Sequence, residues 1–341
     1  MKVLLLLLGV GAAVASDFPC PSLSDIYPCD CTVGTSGEPD LDCSGVVSND
    51  ELERVFQASF PYTQVNNLII QPVSGHPGLT DIKSYVFGEV SFKHVTITNT
   101  YIRTIEEEAF TPSHDTLIKL DVSSNEIDTF PYESMGLYNH LRILDLSNNR
   151  LSSLPNLESP SLLSLDLSQN VGLTITEDTF VGLVELEALY LSRMGIASLP
   201  PNVFSTLTYI KILDLSDNNL AGILEQGVVR VPLDSLEELM LNDNALTQIH
   251  SSAITGMDRV GTIDFSNNKL TALDWDNWYP LFDQLTGVQV IDVSGNQLVC
   301  GCDVLWLLLD SDNLDKVKDS ATCSDGIPLK DTDTAPLLIL C

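Results

Sequence analysis

Residues 141–151 read Leu141-Arg142-Ile143-Leu144-Asp145-Leu146-Ser147-Asn148-Asn149-Arg150-Leu151. The frame within them, Leu-x-x-Leu-x-Leu-x-x-Asn-x-Leu, recurs. It returns as Ile210, Leu213, Leu215, Asn218, Leu220 and as Leu236, Leu239, Leu241, Asn244, Leu246. With other apolar residues it is met by Val260, Ile263, Phe265, Asn268, Leu270 and by Val288, Ile291, Val293, Asn296, Leu298. Further frames open at Val65, Phe92, Leu117, Leu162 and Leu186. Ten units spaced near 24 residues predict a repeat solenoid rather than a conventional core.

Elementary geometry says what each unit does. In Leu144-Asp145-Leu146-Ser147 the strand period of two sends both leucines to one side and Asp and Ser to the other. One unit cannot bury its leucines, but stacked units can, each buried Leu contributing roughly 1.5–3 kcal/mol. The recurrent Asn turns the chain off the strand and is placed to satisfy backbone groups of adjacent turns. The rest of each unit has its own apolar beat, as in Phe204, Leu207, Ile210 and in Ile254, Met257, Val260, expected to line the convex wall. The expected fold class is an α/β repeat solenoid: a horseshoe with a parallel β-sheet on its concave face. Thr100 and Met194 stand at the Asn position of the second and sixth units and are expected to interrupt the Asn ladder and loosen the turn. Pro155 and Pro160 bound a clipped fifth unit.

A parallel sheet has two open edges, which invite pairing with other chains. The eight cysteines sit where caps are needed: Cys20, Cys29, Cys31 and Cys43 before the repeats, Cys300, Cys302, Cys323 and Cys341 after them, and none in the 256 residues between. Cys-x₂-Cys zinc spacing is absent, so these read as disulfides, although spacing leaves three pairings open in each cluster. Met1 and Lys2 precede an apolar run ending Ala13-Val14-Ala15, which reads as a secretory signal peptide. The expected layout is a signal peptide at 1–15, an N-terminal cysteine cap at 16–64, repeats at 65–299 and a C-terminal cysteine cap at 300–341. No later stretch is apolar enough for a membrane anchor, and the expected location is extracellular.

The chain resembles extracellular leucine-rich-repeat proteins of the typical 24-residue class. The resemblance is carried by the frame and by Cys20-x₈-Cys29-x-Cys31-x₁₁-Cys43 and Cys300-x-Cys302-x₂₀-Cys323-x₁₇-Cys341, the latter enclosing Asp303, Leu305, Trp306 and Leu307. It implies the pairs Cys20–Cys31, Cys29–Cys43, Cys300–Cys323 and Cys302–Cys341. The stretches Cys20-Pro21, Tyr27-Pro28-Cys29-Asp30-Cys31, Leu41-Asp42-Cys43-Ser44, Asp50-Glu51-Leu52, Val55-Phe56 and Phe60-Pro61 are similar to a narrower group. These are secreted crustacean proteins akin to the non-catalytic subunit of Oplophorus-luciferin 2-monooxygenase, a shrimp luciferase. That resemblance implies a binding or stabilising role, with light production on a different, small chain.

Charge narrows the partners. Sixteen Lys and Arg against 47 Asp and Glu give −31, and loss of Lys2 with the leader makes it −32. Nucleic-acid backbones are excluded as ligands, because phosphates need a basic face. Part of the charge is ordered. The fifth frame position reads Ile69, Thr96, Asp121, Asp145, Asp166, Tyr190, Asp214, Met240, Asp264, Asp292, beside a column of serines at the seventh. Like charges one strand apart, ~4.8 Å, repel by ~0.9 kcal/mol even in water, so the column should raise some carboxyl pKa values or recruit cations. The functional reading is a face for a cationic protein partner or a small catalytic subunit. Its breaks mark the contact patch: Tyr190, Arg193, Asp214 and Met240, since Tyr and Arg anchor interfaces and Met adapts to shape. Trp275, Trp278 and Tyr279, in the long connection of the ninth unit, are wall packing or an exposed aromatic patch. Trp306 reads as cap core and Glu106-Glu107-Glu108 as a solvated face.

Catalysis finds no constellation. His76, His94, His114, His140 and His250 are scattered, with no metalloprotease, nucleophile-elbow or phosphate-loop pattern. Asp274-Trp275-Asp276-Asn277 and Asp310-Ser311-Asp312 begin like calcium loops but lack the Gly and distal Glu. No Asn-x-Ser/Thr acceptor for N-glycans occurs. The expectation is a non-catalytic binding protein that needs no cofactor and no metal. The alternatives are a luciferin monooxygenase acting alone and an acidic calcium- or matrix-associated protein.

Overall fold

The computed structural model describes residues 19–35, 37–72, 78–155, 157–288 and 290–341. The leader assigned to 1–15 and His76 lie outside the described residues. Twelve strands form one sheet, and neighbours in space are neighbours along the winding. The first two, Asp30–Val33 and Pro39–Asp42, make an antiparallel hairpin. The remaining ten run parallel, from Gln64–Ile70 and Ser91–Ile97 through three-residue strands such as Ile143–Asp145 and Ile212–Asp214 to Ile291–Asp292. One strand therefore falls in each repeat. The strands are short because the chain must turn at the Asn four residues beyond each Asp.

That turn is built around a buried amide. The Nδ2 of Asn149 donates to the Leu146 carbonyl of its own unit and to the Val122 carbonyl of the preceding one, each at 3.0 Å. Its Oδ1 accepts the Ile127 amide of the preceding unit at 2.9 Å. Asn125, Asn170, Asn218, Asn244, Asn268 and Asn296 repeat the pattern. Each ties two coils together by pairing turn carbonyls that would otherwise be buried in an apolar interior. The residue before each Asn takes a left-handed backbone, with φ of 51° at Asn148, 53° at Asp217 and 55° at Asn267. Gly295 holds that place in the last unit, where a Cβ would come within 2.2 Å of the Asn267 Oδ1.

The two substituted rungs are absorbed. Thr100 donates from its amide and its hydroxyl to the Asn125 Oδ1, at 2.9 and 2.5 Å. Met194 is buried among the core residues, and its amide reaches the Asn218 Oδ1 at 3.0 Å, which also serves Ile196. The ladder loses donors at these turns, and the neighbouring Asn supplies the bond.

The core is the stack of leucines at the first, fourth and sixth frame positions, continued by Phe87, Phe110, Phe180 and Phe204 on the back of the coil. Two expected core positions are corrected. Val260 and Val288 are 68% and 73% exposed. The register pairs Leu236 with Met257 and then shifts before Glu238, so a bulge puts Met257 into the wall and turns Val260 out. In the last unit Val290 is buried and Val288 is not.

Both sheet edges are covered by the capping segments. On the N-terminal side the hairpin pairs Asp42 with Ile69, and disulfides join Cys20 to Cys31 and Cys29 to Cys43. On the C-terminal side Ile291 donates to the Lys316 carbonyl and accepts from Lys318, each at 2.9 Å. Disulfides there join Cys300 to Cys323 and Cys302 to Cys341. The long ninth connection is the helix Trp275–Gln284. Within it Trp278 is wall packing, its Nε1 donating to the Gln248 Oε1 at 2.7 Å. Trp275 is 50% exposed and stacks on Tyr279 at 3.9 Å. Trp306 is half-buried and donates from its Nε1 to the Leu273 carbonyl.

Replacing Asn218 by Ala strands the Met194 and Ile196 amides and the Leu191 carbonyl, while the Leu215 and Ser216 carbonyls keep the Asn244 side chain and the Arg193 amide as donors. The expected cost is about 2–4 kcal/mol in urea unfolding, from several lost buried bonds of ~1 kcal/mol each. Arg193→Ala, on an exposed residue of the same turns, should cost under about 1 kcal/mol.

Candidate partner-binding face

Register alone assembles the candidate residues. Asp121 pairs with Asp145, Asp145 with Asp166, Asp166 with Tyr190, Tyr190 with Asp214, Asp214 with Met240, Met240 with Asp264 and Asp264 with Asp292. The eight lie in one row across the strand face, and the row runs back through Thr96 and Ile69 to Asp42 of the hairpin. Arg193 is not in the row. It sits in the turn three residues past Tyr190, at φ 55°, and its guanidinium reaches Asp217 of the next unit at 3.2 Å.

Each Asp of the row has a local use. Its Oδ1 accepts the backbone amide of the Ser two residues on: 2.9 Å for Asp145 and Ser147, 2.8 Å for Asp166 and Ser168, 2.9 Å for Asp214 and Ser216, 2.8 Å for Asp264 and Ser266. This closes an Asx turn as the chain leaves the strand. It is the physical reason for the Asp-x-Ser habit of the repeat. Tyr190 and Met240 give that bond up, and the Ser192 amide turns instead to the Ser168 hydroxyl at 3.3 Å.

The second oxygens differ along the row. At its ends they meet lysines: Lys119 lies 3.2 Å from Asp121 and Lys318 lies 3.2 Å from Asp292. Among the described residues no ion pair reaches Asp145, Asp166, Asp214 or Asp264. Burial, then the neighbouring carboxylates Asp145 and Asp214, raise the Asp166 carboxyl above the usual range. Burial likewise raises the Tyr190 phenol, followed by Asp166, Glu238 and Asp214. At Asp292 burial pushes upward, but the Ser294 bonds and Lys318 outweigh it and hold the carboxyl low.

A second column on the same face was not singled out from sequence. The third frame position pairs Ile143 with Ser164, Ser164 with Ala188, Ala188 with Ile212 and Ile212 with Glu238. Ile143 is exposed and Ala188 and Ile212 are half-buried, so a column of apolar residues, interrupted by Ser164 and ended by Glu238, runs beside the unpaired carboxylates. The signal was there in the frame, since the third position shares the face with the fifth. Tyr190, Asp214 and Met240 stand next to this strip, each half-buried. The arrangement offers apolar contact and negative charge together, with no nucleophile–base pair. Among the described residues no group of three or more His, Cys, Asp or Glu is placed to hold a metal ion, and no helix is long and apolar enough to cross a membrane.

Comparison with known proteins agrees with this architecture. A model of the leucine-rich-repeat family matches residues 91–151, 140–196 and 234–298. The non-catalytic subunit of Oplophorus-luciferin 2-monooxygenase from Oplophorus gracilirostris is 32% identical over 327 residues, covering 94% of this chain and 88% of that protein. Chicken (Gallus gallus) Tsukushi is 30% identical over 210 residues, covering 60% of this chain and 54% of its own length. Among solved structures, human 5T4 superposes with a TM-score of 0.55 at 21% identity, covering 94% of this chain and 99% of that one. A chain of the octameric Latrophilin 3, Unc5D and FLRT2 complex gives 0.61 at 19% identity, covering 85% and 87%. At such identities these two structures speak for the fold alone.

The carboxylate row makes stability depend on pH in a definable sense. Asp166 binds its proton more tightly folded than unfolded. Between the ordinary Asp value and its raised folded value the native state therefore holds more protons, and stability falls as pH rises through that window. Asp166→Asn keeps an oxygen for the Ser168 amide and removes the charge. It should raise the melting temperature at pH 7, and the gain should shrink as pH is lowered through the folded pKa, as followed by calorimetry.

Proposed function

The chain belongs to the leucine-rich-repeat family, and within it to the kin of the Oplophorus luciferase non-catalytic subunit; from that footing we propose that it is a secreted, non-catalytic binding protein whose strand face holds a cationic protein partner. The partner fitting this face best is a small catalytic chain, with this solenoid as the larger, stabilising subunit. The observation that carries the reading is the patch of Tyr190, Asp214 and Met240, consecutive in register and flanked by carboxylates without basic partners. Tyr190 and Met240 have each given up the local bond that every Asp of the row makes, and what replaces it is contact area on the exposed side. Ile143 and Ile212 extend that area, and Arg193 stands at its rim.

Division of labour supports the non-catalytic half. A relative that covers 94% of this chain is named for a subunit without catalysis. The face offers recognition chemistry: an apolar strip gives affinity, and the carboxylates steer a cationic partner and reject anionic ones. Caps stapled by disulfides and a coil stable without other staples suit an extracellular medium.

Two measurements test the reading. Tyr190→Ala with Met240→Ala should weaken binding of the chain that crosslinks to this protein in the native secretion by at least about tenfold, as expected for central anchors. The melting temperature should be unchanged, because neither residue closes a turn; unchanged affinity would remove the patch from the interface. Purified chain mixed with luciferin and oxygen should give no sustained light, and turnover without a second polypeptide would overturn the non-catalytic assignment.

A further inference from the structure

The patch on the strand face has a fixed spacing, and that spacing restricts what can lie on it. In register order the row reads Asp166, Tyr190, Asp214, Met240, Asp264, one residue per unit. Charged and uncharged side chains therefore alternate over successive strands. All five are half-buried, so each keeps surface to offer. Among the described residues no ion pair reaches the three carboxylates. Small side chains flank the middle of the row, Ala188 at the third frame position and Ser192 and Ser216 at the seventh. They leave room for an element as wide as a helix, about 10–12 Å.

Adjacent parallel strands lie ~4.8 Å apart, so the carboxylates recur every ~9.6 Å with the uncharged residues halfway between. A helix laid across the strands, along the row, returns one face at i+3 or i+4 and again at i+7, on average ~5.3 and ~10.5 Å along its axis. From Asp166 to Asp264 the row spans ~19 Å, and fourteen residues of helix advance ~21 Å. Centred on Asp214, the helix is out of step by only ~1 Å at either end, less than the reach of a Lys or Arg side chain. An extended segment does not match. Its same-side residues fall ~6.7 Å apart, so from Asp166 its second contact lands between Tyr190 and Asp214. A strand added to the sheet could pair only at an edge, and these residues stand on inner strands.

We infer that the partner docks through an amphipathic basic helix lying along the row, with Lys or Arg at i, i+7 and i+14 against Asp166, Asp214 and Asp264, and apolar residues at i+3 or i+4 and at i+10 or i+11 against Tyr190 and Met240. The inference rests on the partner reading of this face and adds the partner's secondary structure and the order of its contact residues. Charge decides the sign: carboxylates without basic partners, in a chain of net −31, attract a cationic helix and repel an acidic one. Tyr190 and Met240 decide the alternation. A cation placed over either would lose water without gaining a counter-ion, and an apolar residue over a carboxylate would strip its hydration. Asp145, paired with Asp166 in the preceding unit, extends the charge to one more cation a turn earlier.

Three peptides of about eighteen residues, each ~27 Å long as a helix, test this on the full chain by fluorescence anisotropy and circular dichroism. The matched peptide carries Lys at i, i+7 and i+14 and Leu at i+4 and i+11 in an Ala-Gln background. The second has the same composition with Lys and Leu redistributed around the helix. The third sets Lys and Leu alternately along one side of an extended Thr-Val pattern. The matched peptide should bind saturably, at millimolar Kd or tighter. It should gain helix on binding and displace the chain that crosslinks to this protein in the native secretion. The other two should bind at least about tenfold more weakly, and Tyr190→Ala with Met240→Ala should weaken the matched peptide about tenfold. Asp214→Asn keeps an oxygen for the Ser216 amide and should weaken it about threefold. Equal affinity for the matched and redistributed peptides, tighter binding of the extended one, or a matched peptide that binds without gaining helix or without displacing the native chain would each overturn the inference. A Tyr190→Ala with Met240→Ala protein that loses the native chain but keeps the matched peptide would overturn it too, and would spare the partner reading. One that loses the peptide and keeps the native chain would overturn the partner reading itself.

Discussion

An asparagine side chain carries two donor hydrogens and one acceptor oxygen, and at seven turns of this coil those groups are spent on the backbone of two successive units. The turn needs them. A chain that leaves a strand after three residues exposes carbonyls to the apolar interior, and an unpaired buried carbonyl costs about 1–3 kcal/mol. With the amide in place the leucines of adjacent units can close over one another. The ladder thus couples vertical stacking to the local bend, and every other feature of the molecule sits on the spacing that it sets.

The strand face inherits that spacing. Because each unit offers its fifth position at the same height, residues about 24 apart in sequence become neighbours in a row. The aspartates of the row are first of all turn-closing groups, with one oxygen committed to a Ser amide. Their remaining oxygens make a charged strip as a by-product of folding. Lys119 and Lys318 neutralise its ends and leave the middle unpaired. At Tyr190 and Met240 the turn-closing role has been dropped. The contact proposed for these two positions would offset the local bond that they forgo.

The back of the coil follows other rules. It has no strict frame, its short strands come in pairs, and its connections vary from a clipped fifth unit to a helix in the ninth. That irregularity is what opens a cavity beside Tyr132 while the strand face stays flush.

Much of this was legible in eleven residues. The frame at 141–151, repeated, specifies the strand, the turn, the buried side and the row of aspartates, because a period of two and a repeat of 24 fully determine which residues share a face. The same rule placed Asp121 to Asp292 in line. It went wrong at Val260 and Val288, which an unforeseen bulge and a late start turn outward, while Met257 lies in the wall as expected and Val290 joins it. It read Trp275 and Trp278 together, while the helix between them buries one and exposes the other. The sequence by itself determined the architecture, since burial pattern and turn chemistry are local and repeat. Only the tertiary structure decided which carboxylates meet a lysine, that Arg193 stands at the rim beside Asp217, and that Tyr132 keeps a buried hydroxyl without a partner. Those depend on side chains from different units meeting in space, and no period in the sequence encodes such meetings.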